Sequence, residues 1–312
     1  MRLILANPRG FCAGVNMAIE CVDKVLAVMG PPVFVYHEIV HNRHVVEGFR
    51  RRGATFVDDV NSVPEGGVIV YSAHGISPAV RAAAKARRLI EIDATCPLVT
   101  KVHMEVLRYA RDGYKIIFIG HRNHDEAIGT MGEAPNHIIV VESVEEVQKL
   151  TFPPGTKLAF VTQTTLSLFD AQKVIDALKA RFPGIRHPAK DDVCYATTNR
   201  QQAVTLLSPE ADLVLVIGSK NSSNSLRLVE TARAAGRAGY LIDDEAEVDS
   251  TWFDGVETVL VTAGASAPEH LVDGLICRLK RDYGAVVESR TLVEEEMTFD
   301  LPKSARSLAV IN

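Results

Sequence analysis

A chain of 312 residues, 47% hydrophobic and 23% charged, carries enough apolar material for one large core or two or three compact domains, which excludes disorder as its resting condition. A formal net charge of −5 without a basic stripe excludes nucleic acid and anionic membrane surfaces as partners, while leaving room for a small anion held locally by His, Arg and backbone N–H groups. No run reaches the roughly 18 apolar residues of a membrane span, and residues 1–8 are too short for a signal-peptide core, so the expected location is the cytoplasm.

From the N-terminus onward, short apolar β-branched runs occur at residues 3–6, 33–36, 68–71, 115–119, 138–141, 158–161, 213–217 and 258–261. Each reads as a strand buried on both faces. Helical periods lie between them; in the first, Val15, Ala18, Ile19, Val22, Leu26 and Met29 form one apolar face, ended by Gly30-Pro31-Pro32. The alternation predicts an α/β fold with mainly parallel sheets and crossover helices. Phe152-Pro153-Pro154-Gly155 is the clearest internal punctuation.

Most of these strands end in a small polar loop. Examples are Asn7-Pro8-Arg9-Gly10-Phe11-Cys12, Ser72-Ala73-His74-Gly75, Gly120-His121-Arg122-Asn123-His124-Asp125-Glu126, Thr162-Gln163-Thr164-Thr165, Gly218-Ser219-Lys220-Asn221-Ser222-Ser223-Asn224 and Thr262-Ala263-Gly264-Ala265-Ser266. In open α/β sheets ligands bind beyond the carboxyl ends of strands, so these loops are expected to converge on one site.

Five cysteines, an odd number, argue against a disulfide framework and for free, catalytic or metal-bound thiols. Cys21 and Cys277 fall inside amphipathic helices, where cysteine behaves as a small buried hydrophobe. Cys12, Cys96 and Cys194 sit in polar segments, roughly one per third of the chain. With no Cys-x-x-Cys run, a metal centre would have to be assembled from distant segments. Three thiolates would leave one coordination position open, as a catalytic site requires. Zinc and an iron–sulfur cluster both satisfy that description, the cluster being the sharper reading.

His41, His74 and His124 lie on separate strand-end loops and are candidates for anion binding, since protonated imidazole donates from both nitrogens. Ser222, Ser223 and Asn224 open a helix, and Ser266 repeats the arrangement before the last long helix; hydroxyls, amides and backbone N–H groups there suit an anion. The plainer reading of the serines is N-capping. Neither loop is a Walker motif, which disfavours nucleoside triphosphate. Glu126, beside His124, is a candidate proton donor whose pKa anionic neighbours would raise, with Thr164 and Thr165 completing a proton path unless they merely cap the next helix.

At this point several motifs coincide. Asn7-Pro8-Arg9-Gly10-Phe11-Cys12-Ala13-Gly14, His37-Glu38-Ile39-Val40-His41-Asn42, Ser72-Ala73-His74-Gly75, Asp93-Ala94-Thr95-Cys96-Pro97, Thr162-Gln163-Thr164-Thr165, Cys194-Tyr195-Ala196-Thr197-Thr198-Asn199-Arg200, Gly218-Ser219-Lys220-Asn221-Ser222-Ser223-Asn224-Ser225 and Thr262-Ala263-Gly264-Ala265-Ser266 occur in one order. Together they resemble the 4-hydroxy-3-methylbut-2-enyl diphosphate reductases of the non-mevalonate route to isoprenoids, from residue 1 to about 303.

That resemblance implies one four-iron four-sulfur cluster with Cys12, Cys96 and Cys194 as ligands and one open iron. It implies that His41, His74, His124, Thr164, Thr165, Ser222, Ser223, Asn224 and Ser266 contact the allylic diphosphate. Glu126, Thr164 and His124 would be the catalytic groups, and an external donor such as a ferredoxin or flavodoxin would supply electrons. It also implies three similar α/β domains with mainly parallel sheets around a central cavity: residues 14–96, 97–193, and 1–13 with 194–281, followed by a C-terminal segment 282–312. The chain departs from the family pattern in two places. Asn16-Met17 replaces Asp-Arg, which removes a charge pair and is expected to alter the cluster's potential; Asp125 replaces proline, which is expected to loosen the Glu126 loop. The rival readings are a non-catalytic iron–sulfur redox sensor, a zinc-dependent enzyme acting on a phosphorylated metabolite, and a nucleotide-binding module.

Overall fold

The computed structural model describes residues 1–190 and 192–308; residue 191, inside the expected 97–193 domain, and residues 309–312, the end of the expected C-terminal segment, lie outside the described residues. In chain order the first elements are β1 (Arg2–Asn7), α1 (Ala13–Met29), β2 (Val33–Tyr36), α2 (Arg43–Arg51), β3 (Ala54–Val57), β4 (Val68–Tyr71), α3 (Pro78–Ala86) and β5 (Ile90–Asp93). Next come α4 (Pro97–Arg111), β6 (Lys115–Ile119), α5 (Asp125–Glu133), β7 (Ile138–Val141), α6 (Val144–Lys149), β8 (Leu158–Thr162) and α7 (Leu168–Arg181). The remainder are α8 (Tyr195–Leu207), β9 (Leu213–Ile217), α9 (Ser223–Ala234), β10 (Ala238–Ile242), β11 (Thr258–Ala263), α10 (Glu269–Tyr283), β12 (Val286–Thr291) and α11 (Lys303–Arg306).

The strands form three parallel sheets, and the chain divides into two compact units. The first unit comprises Met1–Val15, His41–Glu47 and Tyr195–Thr298. Its sheet runs β10-β9-β11-β1-β12. Alternate residues of the central strands feed two cores: Leu3, Leu5, Leu213, Leu215 and Val261 pack on Leu271, Leu275 and Leu279 of α10. Ile4, Val214, Val216 and Leu260 pack on Val204 and Leu207 of α8 and Leu228 and Val229 of α9. Burial on both faces is why these strands read as unbroken apolar runs.

The second unit comprises Asn16–Val40, Gly48–Cys194 and the described residues from Phe299 on. It holds a four-stranded sheet, β3-β2-β4-β5, and a three-stranded sheet, β7-β6-β8. Here the expectation of burial on both faces fails for two strands. β7 is an edge with Ile139 exposed, and in β2 only Val33 and Val35 are fully buried. Four strands lack a sequence signal: β3, β5, β10 and β12. β12 is an edge laced by charge, with Glu288 bonded to Arg2 and Arg290, so it has no apolar run to read. It pairs with β1 although it lies in the segment set apart at 282–312. The short α11 near the chain end lies against β5.

Candidate functional site

Each of the three polar-segment cysteines immediately precedes a helix: Cys12 before α1, Cys96 as N-cap of α4 with Pro97 after it, and Cys194 before α8. None is in a disulfide, and all three are partly exposed. Each backbone N–H is fastened to a strand-end loop, Cys12 to the Ala265 carbonyl (3.2 Å), Cys96 to that of Ala73 (3.0 Å) and Cys194 to that of Thr164 (3.0 Å). The three thiols therefore sit at the positive ends of helix dipoles. Each is tied to a loop bearing one of the candidates Ser266, His74 and Thr164. The other two cysteines divide: Cys21 is buried, and burial pushes its thiol up to about 12, whereas Cys277, expected to be buried, is exposed on α10 because it points away from the Leu271, Leu275 and Leu279 stripe.

The Cys12 loop is braced from below by Arg200, whose guanidinium is fully buried. It donates to the Gly10 carbonyl (2.8 Å), the Ala196 carbonyl (3.0 Å) and the Glu295 carboxylate (2.9 Å). Arg200→Met leaves the Gly10 carbonyl without its donor and Glu295 without its cationic partner, with only Asn199 Nδ2 (3.0 Å) still donating to it, and we expect it to cost about 3 kcal/mol. Urea unfolding monitored by circular dichroism would measure this; a loss under about 1 kcal/mol would show that the brace is dispensable. In the same region Met17 is buried and Asn16 exposed, so the pair that replaces Asp-Arg adds a core side chain and no charge.

In the first unit the anion-loop candidates come together. Ser222 caps α9 by accepting from the Ser225 N–H (3.3 Å), so capping and presentation of hydroxyls coexist in one turn. Ser266 Oγ lies 3.4 Å from Ser222 Oγ and donates to the His41 carbonyl (2.8 Å), and Asn224 Oδ1 accepts from the Ala265 N–H (2.9 Å). Glycine makes this closeness attainable: a Cβ at Gly218 or Gly264 would lie 2.2 or 1.9 Å from Ser225 Oγ. Ser222, Ser223, Asn224 and Ser266 are all nearly buried, concentrating hydroxyl and amide groups where water is scarce. Ser219 belongs to the same turn, accepting from the Arg43 N–H (3.0 Å) and donating to Asp243; its place in the Gly218-Ser219-Lys220 motif was its only sequence signal.

In the second unit Glu126 is the central group. It is 1% exposed, in the first turn of α5, with Oε1 accepting from the Thr164 N–H (2.7 Å) and Oε2 from the Thr164 hydroxyl (2.8 Å). Burial above all, with a smaller contribution from the Asp192 charge, pushes its carboxyl up to about 7, against the two Thr164 bonds that favour ionisation. Thr164 is therefore no helix cap; Ser167 caps α7. Thr165 accepts from Gln163 Nε2 (2.9 Å), and Gln163 Oε1 in turn accepts from the His121 N–H (2.9 Å). His124 caps α5, its Nδ1 accepting from the Glu126 N–H (3.2 Å), so a neutral ring carries its proton on Nε2. The His74 ring meets it edge-on at 5.7 Å, with His74 Nδ1 3.3 Å from Ser72 Oγ. The Cys194 approach is held by Asp192, which accepts from the Thr162 N–H and from Lys101 Nζ (both 3.0 Å); burial pushes Asp192 up to about 6.

Asp125 is tied into the turn at both its backbone and its side chain. It is the first residue of α5, where acidic side chains suit the helix dipole, and it pairs with His37 Nδ1 at 2.9 Å. His37 has φ 57°, an unusual conformation for a residue with a side chain. The hydrogen bond to Asp125 raises the His37 pKa above 6.5. A raised value means that this contribution is complete below the ordinary histidine value and disappears as pH climbs through the folded one. We expect His37→Gln to lose about 0.5–1 kcal/mol at pH 6 and less at pH 8.5, read from urea midpoints at the two pH values; a pH-independent loss would remove the ion pair as its cause.

The chain matches the family model described as "LytB protein" over residues 3–280. It is 55% identical over 309 residues to the 4-hydroxy-3-methylbut-2-enyl diphosphate reductase of Rhodopirellula baltica, covering 99% of this chain and 97% of that one. It is 50% identical over 307 residues to 4-hydroxy-3-methylbut-2-enyl diphosphate reductase 2 of Mycobacterium tuberculosis, covering 98% and 92%. The solved structure of the E-1-hydroxy-2-methyl-but-2-enyl-4-diphosphate reductase from Plasmodium falciparum superposes with a TM-score of 0.96 at 42% identity, covering 98% of this chain and 96% of that one. On sequence, length and fold alike, the chain belongs to the LytB family, that of the 4-hydroxy-3-methylbut-2-enyl diphosphate reductases.

Proposed function

We propose that this enzyme reduces 4-hydroxy-3-methylbut-2-enyl diphosphate, removing its allylic hydroxyl with two electrons and two protons to give water and isopentenyl or dimethylallyl diphosphate. The observation that carries the reading is the buried acid Glu126 clasped by Thr164, whose carbonyl also anchors Cys194. A soft thiolate set on three helix N-termini fits an iron–sulfur cluster. Cys12, Cys96 and Cys194 would hold one four-iron four-sulfur cluster. When bound, it supplies electrons and a Lewis-acidic iron with an open position.

The protein's own groups do the remainder. Ser222, Ser223, Asn224, Ser266, His41 and His74 bind the diphosphate, and Thr165 completes the substrate contacts. His124 donates from Nε2, and the Thr164 hydroxyl orients the substrate's hydroxyl. Glu126, protonated below about 7 because it is buried, delivers a proton and is recharged between turnovers. A ferredoxin or flavodoxin is the proposed electron donor, the cytoplasm the proposed location, and 14–96, 97–193 and 1–13 with 194–281 the proposed domains.

Anaerobic turnover of the allylic diphosphate with a strong reductant, read as formation of the two five-carbon diphosphates, tests the assignment. Cluster-loaded protein that turns over nothing would fit the sensor reading and overturn ours. Protein carrying zinc and no acid-labile sulfide would fit the zinc-enzyme reading and overturn ours.

A further inference from the structure

If the proposed reaction is correct, Glu126 must regain a proton every cycle, yet at 1% exposure it has no direct access to water. The opposite end of its own helix supplies what is needed. Glu126, Thr130 and Glu133 fall at i, i+4 and i+7 of α5, one face of the helix. Glu133 is at the outer end, its side chain 15% exposed, and bonds His103 Nδ1 at 2.8 Å from the facing helix α4.

His103 is itself buried, and its Nε2 has no hydrogen-bond partner among the described residues; neither has the buried Thr130 hydroxyl. Two orphaned polar atoms on one stretch of helix interface are costly for a fold that needs only packing there. Nε2 is directed at Gly75, next to His74, where a Cβ would come within 3.2 Å of it. α5 lies close on the same turn, since a Cβ at Gly129 would meet the Gly75 backbone at 3.3 Å. His103 also acts electrostatically on Glu126, opposing the upward push of burial.

We propose that Glu133 and His103 form the route by which protons reach Glu126 from solvent, with the Thr130 hydroxyl on the path. Glu133 takes a proton at its exposed edge and passes it to His103 Nδ1. The proton on Nε2 leaves toward the Glu126 carboxylate, so one enters the ring as one departs and no electrons move. Rotation of the ring then turns the bare nitrogen toward Glu133 and the remaining N–H toward the inner side, which readies the ring for the next proton without any change of tautomer, and no hydrogen bond on the Nε2 side opposes the turn. His103 and Glu133 are thus proton-supply residues and touch no substrate.

The test uses the full chain. Infrared spectroscopy follows deuterium exchange of the protonated Glu126 carboxyl, identified by its absence in Glu126→Gln, in protein without substrate. Single-turnover rates are then measured on anaerobic, pre-reduced holoenzyme. His103→Gln keeps a hydrogen bond to Glu133 but cannot relay a proton. We expect both exchange and turnover to slow at least about tenfold, with unchanged cluster content and diphosphate affinity. Unchanged exchange, or slowed exchange with unchanged turnover, overturns the route. If His103→Gln does not fold, Glu133→Gln at the helix edge gives the same two readouts. A parent protein that exchanges rapidly but never reduces the diphosphate would sink the proposed reaction and leave the exchange result standing.

Discussion

Glu126→Gln is expected to lose about 10²- to 10⁴-fold in turnover while keeping its cluster and its affinity for diphosphate. Glutamine is nearly isosteric: one amide oxygen still accepts from the Thr164 N–H, and the Thr164 hydroxyl can turn to accept from the new NH₂. What disappears is the exchangeable carboxyl proton. The pH profile of the parent carries the same prediction in another form. The acid form predominates below about 7, so kcat/KM should fall as pH rises through that value. In the substrate complex the diphosphate's negative charge holds the proton more tightly, which moves the corresponding limb of kcat to higher pH. Stability supplies a cross-check of sign. A carboxyl raised from 4.5 to about 7 by folding contributes fully below 4.5 and loses that contribution as pH climbs through 7, so the variant should gain on the parent between pH 5 and 8. Near-normal turnover in Glu126→Gln would remove this residue from the proton path.

How far the chain alone announces all this depends on which atoms carry the signal. Strands such as Lys115–Ile119, Val68–Tyr71 and Leu213–Ile217 were legible because both their faces are covered and apolar residues run unbroken. Ala54–Val57, Ile90–Asp93 and Val286–Thr291 were not, since all three are partly exposed sheet edges, the last two also interrupted by charged residues and the first by Thr55. The site shows the same division. Cys12, Cys96, Cys194, Glu126 and the Ser/Asn turn stand in motifs; Gln163 and Ser219 stand inside those motifs but do structural work that only the hydrogen bonds disclose. His103 and Asp192 act through partners thirty residues or more distant, Glu133 and Thr162, and no local spacing encodes that. Asp125 was legible as a departure from a pattern, but its effect was not, because the compensating His37 is contributed by a strand-end turn far upstream.

Cys96→Ser is expected to abolish the intact cluster while leaving the apoprotein as stable as the parent or slightly more so, a combination that separates a ligand role from a packing role. Cys96 is partly exposed, and its side chain makes no capping bond to α4. Serine in the same place is a favoured N-cap and can accept from a free N–H of the first turn, worth about 0.5–1 kcal/mol. As a metal ligand it is a poor substitute, because the soft thiolate that suits iron and sulfide is replaced by a hard hydroxyl that stays protonated near neutral pH. Protein purified without oxygen should fall from about four irons and four sulfides per chain to a small fraction of that, with unaltered far-ultraviolet circular dichroism. Cys21→Ser supplies the opposite pattern. That thiol is buried in the core, so the substitution places a hydroxyl among apolar neighbours and should lower stability while retaining iron and sulfide. Full iron and sulfide in Cys96→Ser would mean that the ligand set is wrongly assigned, and with it the proposed arrangement in which each ligand hangs from a loop carrying a substrate-contact candidate.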